Sequence, residues 1–149
     1  MKKFKFQLET LLNVTRRKKD DAEMAFAEVS RRLEGHRAKL QELLQELQAG
    51  QKEYSEMTAE GHTVKVGVIV TYNNFFNWKR EQIESQQQLI LKTMQERQQK
   101  LKKLMELITY LKSIEQLKEK RLREYNEAVL AEEQKFLDEV GLQLHIRQR

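Results

Sequence analysis

The chain has 149 residues, 34% of them charged and 39% hydrophobic, with five glycines, no proline and no cysteine, and a mean hydropathy of -0.79. One domain's length with so few helix breakers and so little apolar content excludes a Rossmann, sandwich or barrel fold and favours long helices; the lack of cysteine excludes a disulfide frame, a thiolate metal site and a thiol nucleophile, and suits a reducing compartment. A net charge of +5 leaves nucleic acid, anionic lipid and acidic protein surfaces open as partners, although both signs are interspersed along the chain.

The opening Met1-Lys2-Lys3-Phe4-Lys5-Phe6 lacks the apolar core of a signal peptide, and no run approaches the roughly 20 apolar residues of a membrane span. The expectation is a cytoplasmic protein. From Leu8, alternating steps of four and three land on Leu8, Leu12, Thr15, Lys19, Ala22, Phe26, Val29, Leu33, His36, Leu40, Leu43, Leu47, Gly50, Tyr54 and Met57. A repeat of 3.5 residues is the seam of a coiled coil, so a first helix is predicted over about residues 5–58. Thr15, Lys19, His36 and Gly50 are its weak points.

The pattern stops at Ala59-Glu60-Gly61-His62-Thr63. Val64-Lys65-Val66-Gly67-Val68-Ile69-Val70 alternates like a strand, but a lone strand has nothing to pair with. A break over about residues 59–71 is predicted, with Thr63 or Thr71 as N-cap of the next helix.

The second helix is predicted over about residues 72–143. Its seam runs through Phe76, Arg80, Ile83, Gln87, Ile90, Met94, Arg97, Leu101, Leu104, Ile108, Leu111, Glu115, Lys118, Leu122, Tyr125, Val129, Glu132 and Phe136. Around Leu107, Ile108, Leu111, Ile114 and Leu117 the apolar stripe widens, and Gly141 is expected to fray the end. Two long helices joined by one short break form an antiparallel hairpin within a single coiled-coil domain, 1–149. Folding near residue 65 pairs Leu47 with Ile83, Leu40 with Ile90, His36 with Met94 and Val29 with Leu101. The second helix outruns the first, which leaves Tyr125, Val129, Leu130, Phe136, Leu137 and Val140 in need of a partner. A homodimer or a bundle buries the same stripe equally well.

Signs of catalysis are missing. His36, His62 and His145 sit on separate segments and make no metal site, and His36 reads as a polar residue tolerated on the seam. No phosphate loop or nucleophile elbow occurs, and a two-helix hairpin offers no deep pocket in which to tune an acid or base. The expectation is no enzyme, no metal, no cofactor and no small-molecule substrate. Asp20, Asp21 and Glu23 beside Arg16, Arg17, Lys18 and Lys19 read as a solvated face. Lys100, Lys102 and Lys103, or Lys118, Lys120, Arg121 and Arg123, could track phosphates, but glutamates dilute each run and no aromatics interleave, which disfavours nucleic acid. Tyr72, Phe75, Phe76 and Trp78, with Tyr54 across the break, are the outlier: one seam cannot bury them all, and aromatics left outside are binding anchors.

Phe4-x-Phe6-x-Leu8-Glu9-x-Leu11-Leu12, Arg16 a turn later, a first segment ending near Tyr54, a Gly-containing break and then Tyr72-Asn73-Asn74-Phe75 resemble the flagellar FliJ proteins. The resemblance implies a component of the flagellar type III export apparatus: an all-α, two-helix antiparallel coiled coil like the terminal helices of the rotary ATPase gamma subunit. It implies a protein that sits in the pore of the hexameric export ATPase and promotes its assembly. The same likeness has it contact the export gate membrane protein and escort empty export chaperones, at the inner face of the cell membrane at the flagellar base. Positions flanking the break match the family's gate contact by type at Leu47, Tyr54, Tyr72 and Phe75, with Trp78 beside them. Gly50, Lys79, Gln82 and Gln86 depart from it. The paired ends, with Phe4, Phe6, Leu8, Leu11, Leu12, Arg16, Tyr125, Val129 and Phe136, are the expected ATPase-ring surface, and basic residues on the rod are expected to meet acidic loops of the ATPase lumen. A basic structural tether or nucleic-acid-binding protein, and the equivalent rod of a virulence secretion system, are the alternatives.

Overall fold

A computed structural model describes residues 2–148. Two helices account for nearly all of it: α1, Glu9–Met57, and α2, Val66–Gln148. They run antiparallel and pack against each other, with no strand among the described residues. The chain divides into two compact units, a terminal unit of Met1–Asp21 with Leu104–Arg149 and a central unit of Ala22–Lys103.

Every position of the repeat from Leu8 to Met57 is buried or half-buried. Its small and polar members are explained by what they do there. Thr15 is buried because its hydroxyl donates to the carbonyl of Leu11 at 2.7 Å, leaving only the methyl group to pack. Gly50 is buried against the ring of Phe75.

The phase of α2 differs from the expected one at alternate positions. Phe76, Ile83, Ile90, Leu104 and Leu111 are buried as expected, but between them Lys79, Thr93 and Ile114 are buried, with Gln86 half-buried, while Arg80, Gln87 and Met94 face outward. The expected series favours Met94 over Thr93 by hydrophobicity. The helix favours the polar residues because each carries its own partner: Lys79 pairs with Glu46, Gln86 donates to the carbonyl of His36 at 2.9 Å, and Thr93 donates to that of Leu89 at 2.8 Å. Facing residues also sit earlier on α2 than expected, by as much as about two helical turns: His36 meets Gln86 rather than Met94, and Arg32 reaches Glu96 at 2.7 Å.

The helix ends differ too. Residues 2–8 are not helical; α1 starts at Glu9, an acidic residue favoured in a first turn by the helix dipole. The valine run belongs to α2, which starts at Val66 rather than near residue 72. β-branched residues lose only a few tenths of a kcal/mol each in a helix, and Val68 and Ile69 gain partial burial there. Neither threonine is the N-cap: Lys65 supplies the first carbonyl, to Val68 and Ile69, and Thr71 lies inside the helix donating to Gly67. Gly61 turns the connection with φ +86, the one positive φ among the described residues. Gly141 does not end α2, which continues to Gln148 with His145 and Arg147 in its last turn; one internal glycine costs only about 1 kcal/mol.

In the terminal unit, Phe6, Leu12, Leu111 and Ile114 form a buried cluster with Phe4, Leu8 and Leu117 packed on it. The Phe-x-Phe spacing suits an extended strap, with Phe4 against Tyr125 at 5.6 Å between ring centres. The Tyr125 hydroxyl donates to the carbonyl of Lys2 at 2.6 Å. In the central unit Arg97 lies over the Phe26 ring at 4.8 Å and donates to Ser30 at 3.1 Å.

Candidate partner-binding surfaces

Beside the connection, the central unit gathers aromatic rings. Tyr54, Tyr72 and Phe76 meet one another at tilted and edge-to-face angles with ring centres 5.4 to 6.1 Å apart, and Phe75 meets Phe76 edge-on at 5.8 Å. Phe75 fits because position 50 has no side chain. The Tyr72 hydroxyl donates to the sulfur of Met57 at 3.3 Å, and burial, together with the Glu53 carboxylate nearby, raises its pKa. Phe76 is buried, Tyr54, Tyr72 and Phe75 are half-buried, and Trp78 is 55% exposed. The stripe-width expectation is thus met at Trp78, whereas Phe75 turns partly inward over Gly50 and Tyr72 against Tyr54 and Met57.

Lys79 is the residue that sequence reasoning missed. It is buried beneath this cluster, bonded to Glu46, with its ammonium 4.9 Å from the Trp78 ring centre and 5.7 Å from that of Phe75. A buried ammonium needs an acid, and an aromatic face adds to it. The hydrogen bond from Lys79 holds the Glu46 carboxyl below its ordinary range. The available signal was that Glu46 lies a heptad step before Glu53 on the flank of the seam. Glu46, Ala49, Gly50, Tyr72, Phe75 and Lys79 line a groove of about 460 Å³.

The second surface is on the terminal unit. Beyond Tyr125, α2 carries Val129, Leu130, Phe136, Leu137, Val140 and Leu144, which lie within about 120° of the helix circumference at 100° per residue. Phe136 is 65% exposed and Leu137 60%. Tyr125, Val129, Glu132, Glu133, Phe136 and Leu137 line a groove of about 630 Å³. The sequence placed this stripe; it did not single out Leu142, Leu144 and Ile146, also exposed.

The expected ATPase-ring residues therefore separate. Phe6 and Leu12 are core, Phe4 and Leu8 pack on that core, and Leu11 and Phe136 face solvent. Arg16 is engaged by Glu115 at 3.6 Å, and Val129 and Tyr125 are half-buried. Of the expected gate residues, Leu47 is half-buried on the seam, while the aromatics cluster as described. Among the described residues, no group of three or more His, Asp or Glu is placed to hold a metal ion, and no helix is long and apolar enough to cross a membrane.

Two long paired helices with apolar side chains left outside define an all-α helical hairpin. The chain matches the family of the flagellar FliJ protein over residues 4–149, and it belongs to that family. It is therefore a component of the flagellar export apparatus, in a family whose members act without enzymatic activity of their own. No curated protein and no solved structure matches it.

Proposed function

We propose that the protein is a coupling and assembly factor of flagellar export. Its terminal unit enters and stabilises the hexameric export ATPase, its central unit contacts the cytoplasmic domain of the export gate, and it hands on empty export chaperones. It works in the cytoplasm, peripherally at the inner face of the cell membrane. The observation that carries this reading is the apolar stripe of α2 from Tyr125 onward: Phe136 and Leu137 lie bare, whereas Leu111, Ile114 and Leu117 earlier on the same helix pack in the cluster with Phe6 and Leu12. Apolar surface of this kind marks an interaction site. Trp78, standing out from a ring cluster held by Lys79, suits the gate contact as an anchor.

Cells lacking the gene provide the test. The full chain restores swimming in soft agar, and the full chain with Leu130→Glu, Phe136→Glu and Leu137→Glu does not, although it accumulates to the same level. Wild-type swimming by the deletion strain contradicts the reading.

A further inference from the structure

The exposed stripe of the terminal unit has a charge opposite to that of the chain. From Glu124 to Glu139 there are six carboxylates against the single cation Lys135, on a chain whose net charge is +5. At 100° per residue, Glu132 and Glu139 flank the stripe on one side and Glu127 and Asp138 on the other. Glu132 and Glu133 line the same groove as Phe136 and Leu137. Among the described residues none of these six carboxylates is ion-paired; Asp138 only accepts a hydrogen bond from Gln134 at 3.0 Å. The bare groove is therefore acidic, set apart from the basic residues elsewhere on the rod.

Three observations choose its occupant. A second copy of this chain would bring its own Glu132 and Glu133 into an apolar contact with like charges, which is costly to desolvate. Nucleic acid and anionic lipid are repelled for the same reason. The helix already shows what it accepts: the strap bearing Lys2, Lys3 and Lys5 lays Phe4 against Tyr125, where the groove begins. Both the apolar rings and the cations of that strap suit the stretch that follows.

We propose that the groove from Tyr125 to Val140 binds a basic, amphipathic segment of a partner protein. Its apolar side chains seat on Val129, Phe136 and Leu137, and its lysines or arginines meet Glu132, Glu133 and Glu139. Arginine is the better fit, since its planar fork matches a carboxylate. The inference rests on the reading of the terminal unit as a partner-docking end, and supplies the partner's chemistry.

The test uses the full chain and two fluorescein-labelled synthetic helices, one with leucines at heptad seam positions and lysines around them, the other with glutamates in place of the lysines. Fluorescence anisotropy reads binding. The lysine helix binds at least about tenfold more tightly than the glutamate helix, and added salt weakens it. Glu132→Lys with Glu133→Lys reverses the preference, and Phe136→Ala with Leu137→Ala weakens the lysine helix by about tenfold. Reversal of the exposed pair Glu81 and Glu84 leaves binding unchanged. All of these positions are exposed, and circular dichroism verifies that each variant stays helical. Equal binding of the two helices, or a preference untouched by reversal at Glu132 and Glu133, overturns the proposal. So does a dimer in sedimentation equilibrium that Phe136→Ala with Leu137→Ala dissolves. If the chain stimulates the export ATPase yet shows no lysine preference, only this inference fails; a lysine preference without stimulation sinks the functional reading alone.

Discussion

Phe75 packs so closely on Gly50 that a Cβ there would stand 2.6 Å from the ring's Cε1. A glycine inside a helix ordinarily costs about 0.5–1 kcal/mol relative to alanine, so Gly50→Ala should stabilise α1 unless the contact prevents it. Displacing the ring costs about 1–3 kcal/mol, by the usual scale of overpacking. The expected net result is a loss of about 1 kcal/mol in urea unfolding. In a Phe75→Ala background the same change should become stabilising, and additivity of the two would show that the ring is not held by the missing side chain.

Glu46 and Glu96 are both held below the ordinary carboxylate range, by hydrogen bonds from Lys79 and Arg32 respectively. Each is more acidic folded than unfolded, so the unfolded chain takes up more protons as the pH falls. Their contribution is fully present above the unfolded carboxylate pKa and is lost as the pH drops through the folded values. Melting temperature should therefore fall on acidification through that range. Lys79→Met with Arg32→Met should flatten the dependence, and a melting temperature equally acid-sensitive in that variant would count against these pairs.

The phase of α2 is tested by adjacent substitutions. Thr93→Glu buries an unpaired carboxylate and should cost more than about 2 kcal/mol, whereas Met94→Glu, on the outer face, should change stability by less than about 0.5 kcal/mol. Thr93→Val, which keeps the shape and removes only a hydroxyl bonded within its own turn, should be near neutral. Chemical denaturation of the three variants would reveal the opposite order if the outward seam through Met94 were the buried one.

Phe6 is 6% exposed and anchors the strap of residues 2–8 to Leu111 and Ile114. Phe6→Ala should cost about 3 kcal/mol, the lower end for truncating a buried phenylalanine. Amide hydrogen exchange should quicken around residues 111–117 and leave residues 29–43 protected. Unchanged exchange there would mean that the strap is not part of the core.

The heptad of α1 is readable because its apolar residues are dense; even Thr15 and Gly50 fall on the seam once the register is set by Leu12, Val29, Leu33 and Leu43. The seam of α2 is harder. Its buried polar residues become legible only when the opposite helix is known, because Lys79 needs Glu46 and Gln86 needs the carbonyl of His36. Alternation of valines over residues 64–70 imitates a strand, yet a strand's backbone would go unpaired where a helix bonds its own. The aromatic cluster and the C-terminal stripe are visible in sequence as side chains in excess of one seam. Their charge setting is hidden in the overall composition, which averages the acidic stretch at 124–139 into a basic chain, and shows only in the local run of residues.

Assembly of the export ATPase ring by this chain, as proposed, is read from the ATP turnover of the flagellar export ATPase from the same organism, measured with ring formation as the purified chain is added. The wild-type chain should raise turnover and ring yield, and the Leu130→Glu, Phe136→Glu, Leu137→Glu variant should do neither while remaining helical. A folded wild-type chain that neither binds the ATPase nor changes its turnover would contradict the claim.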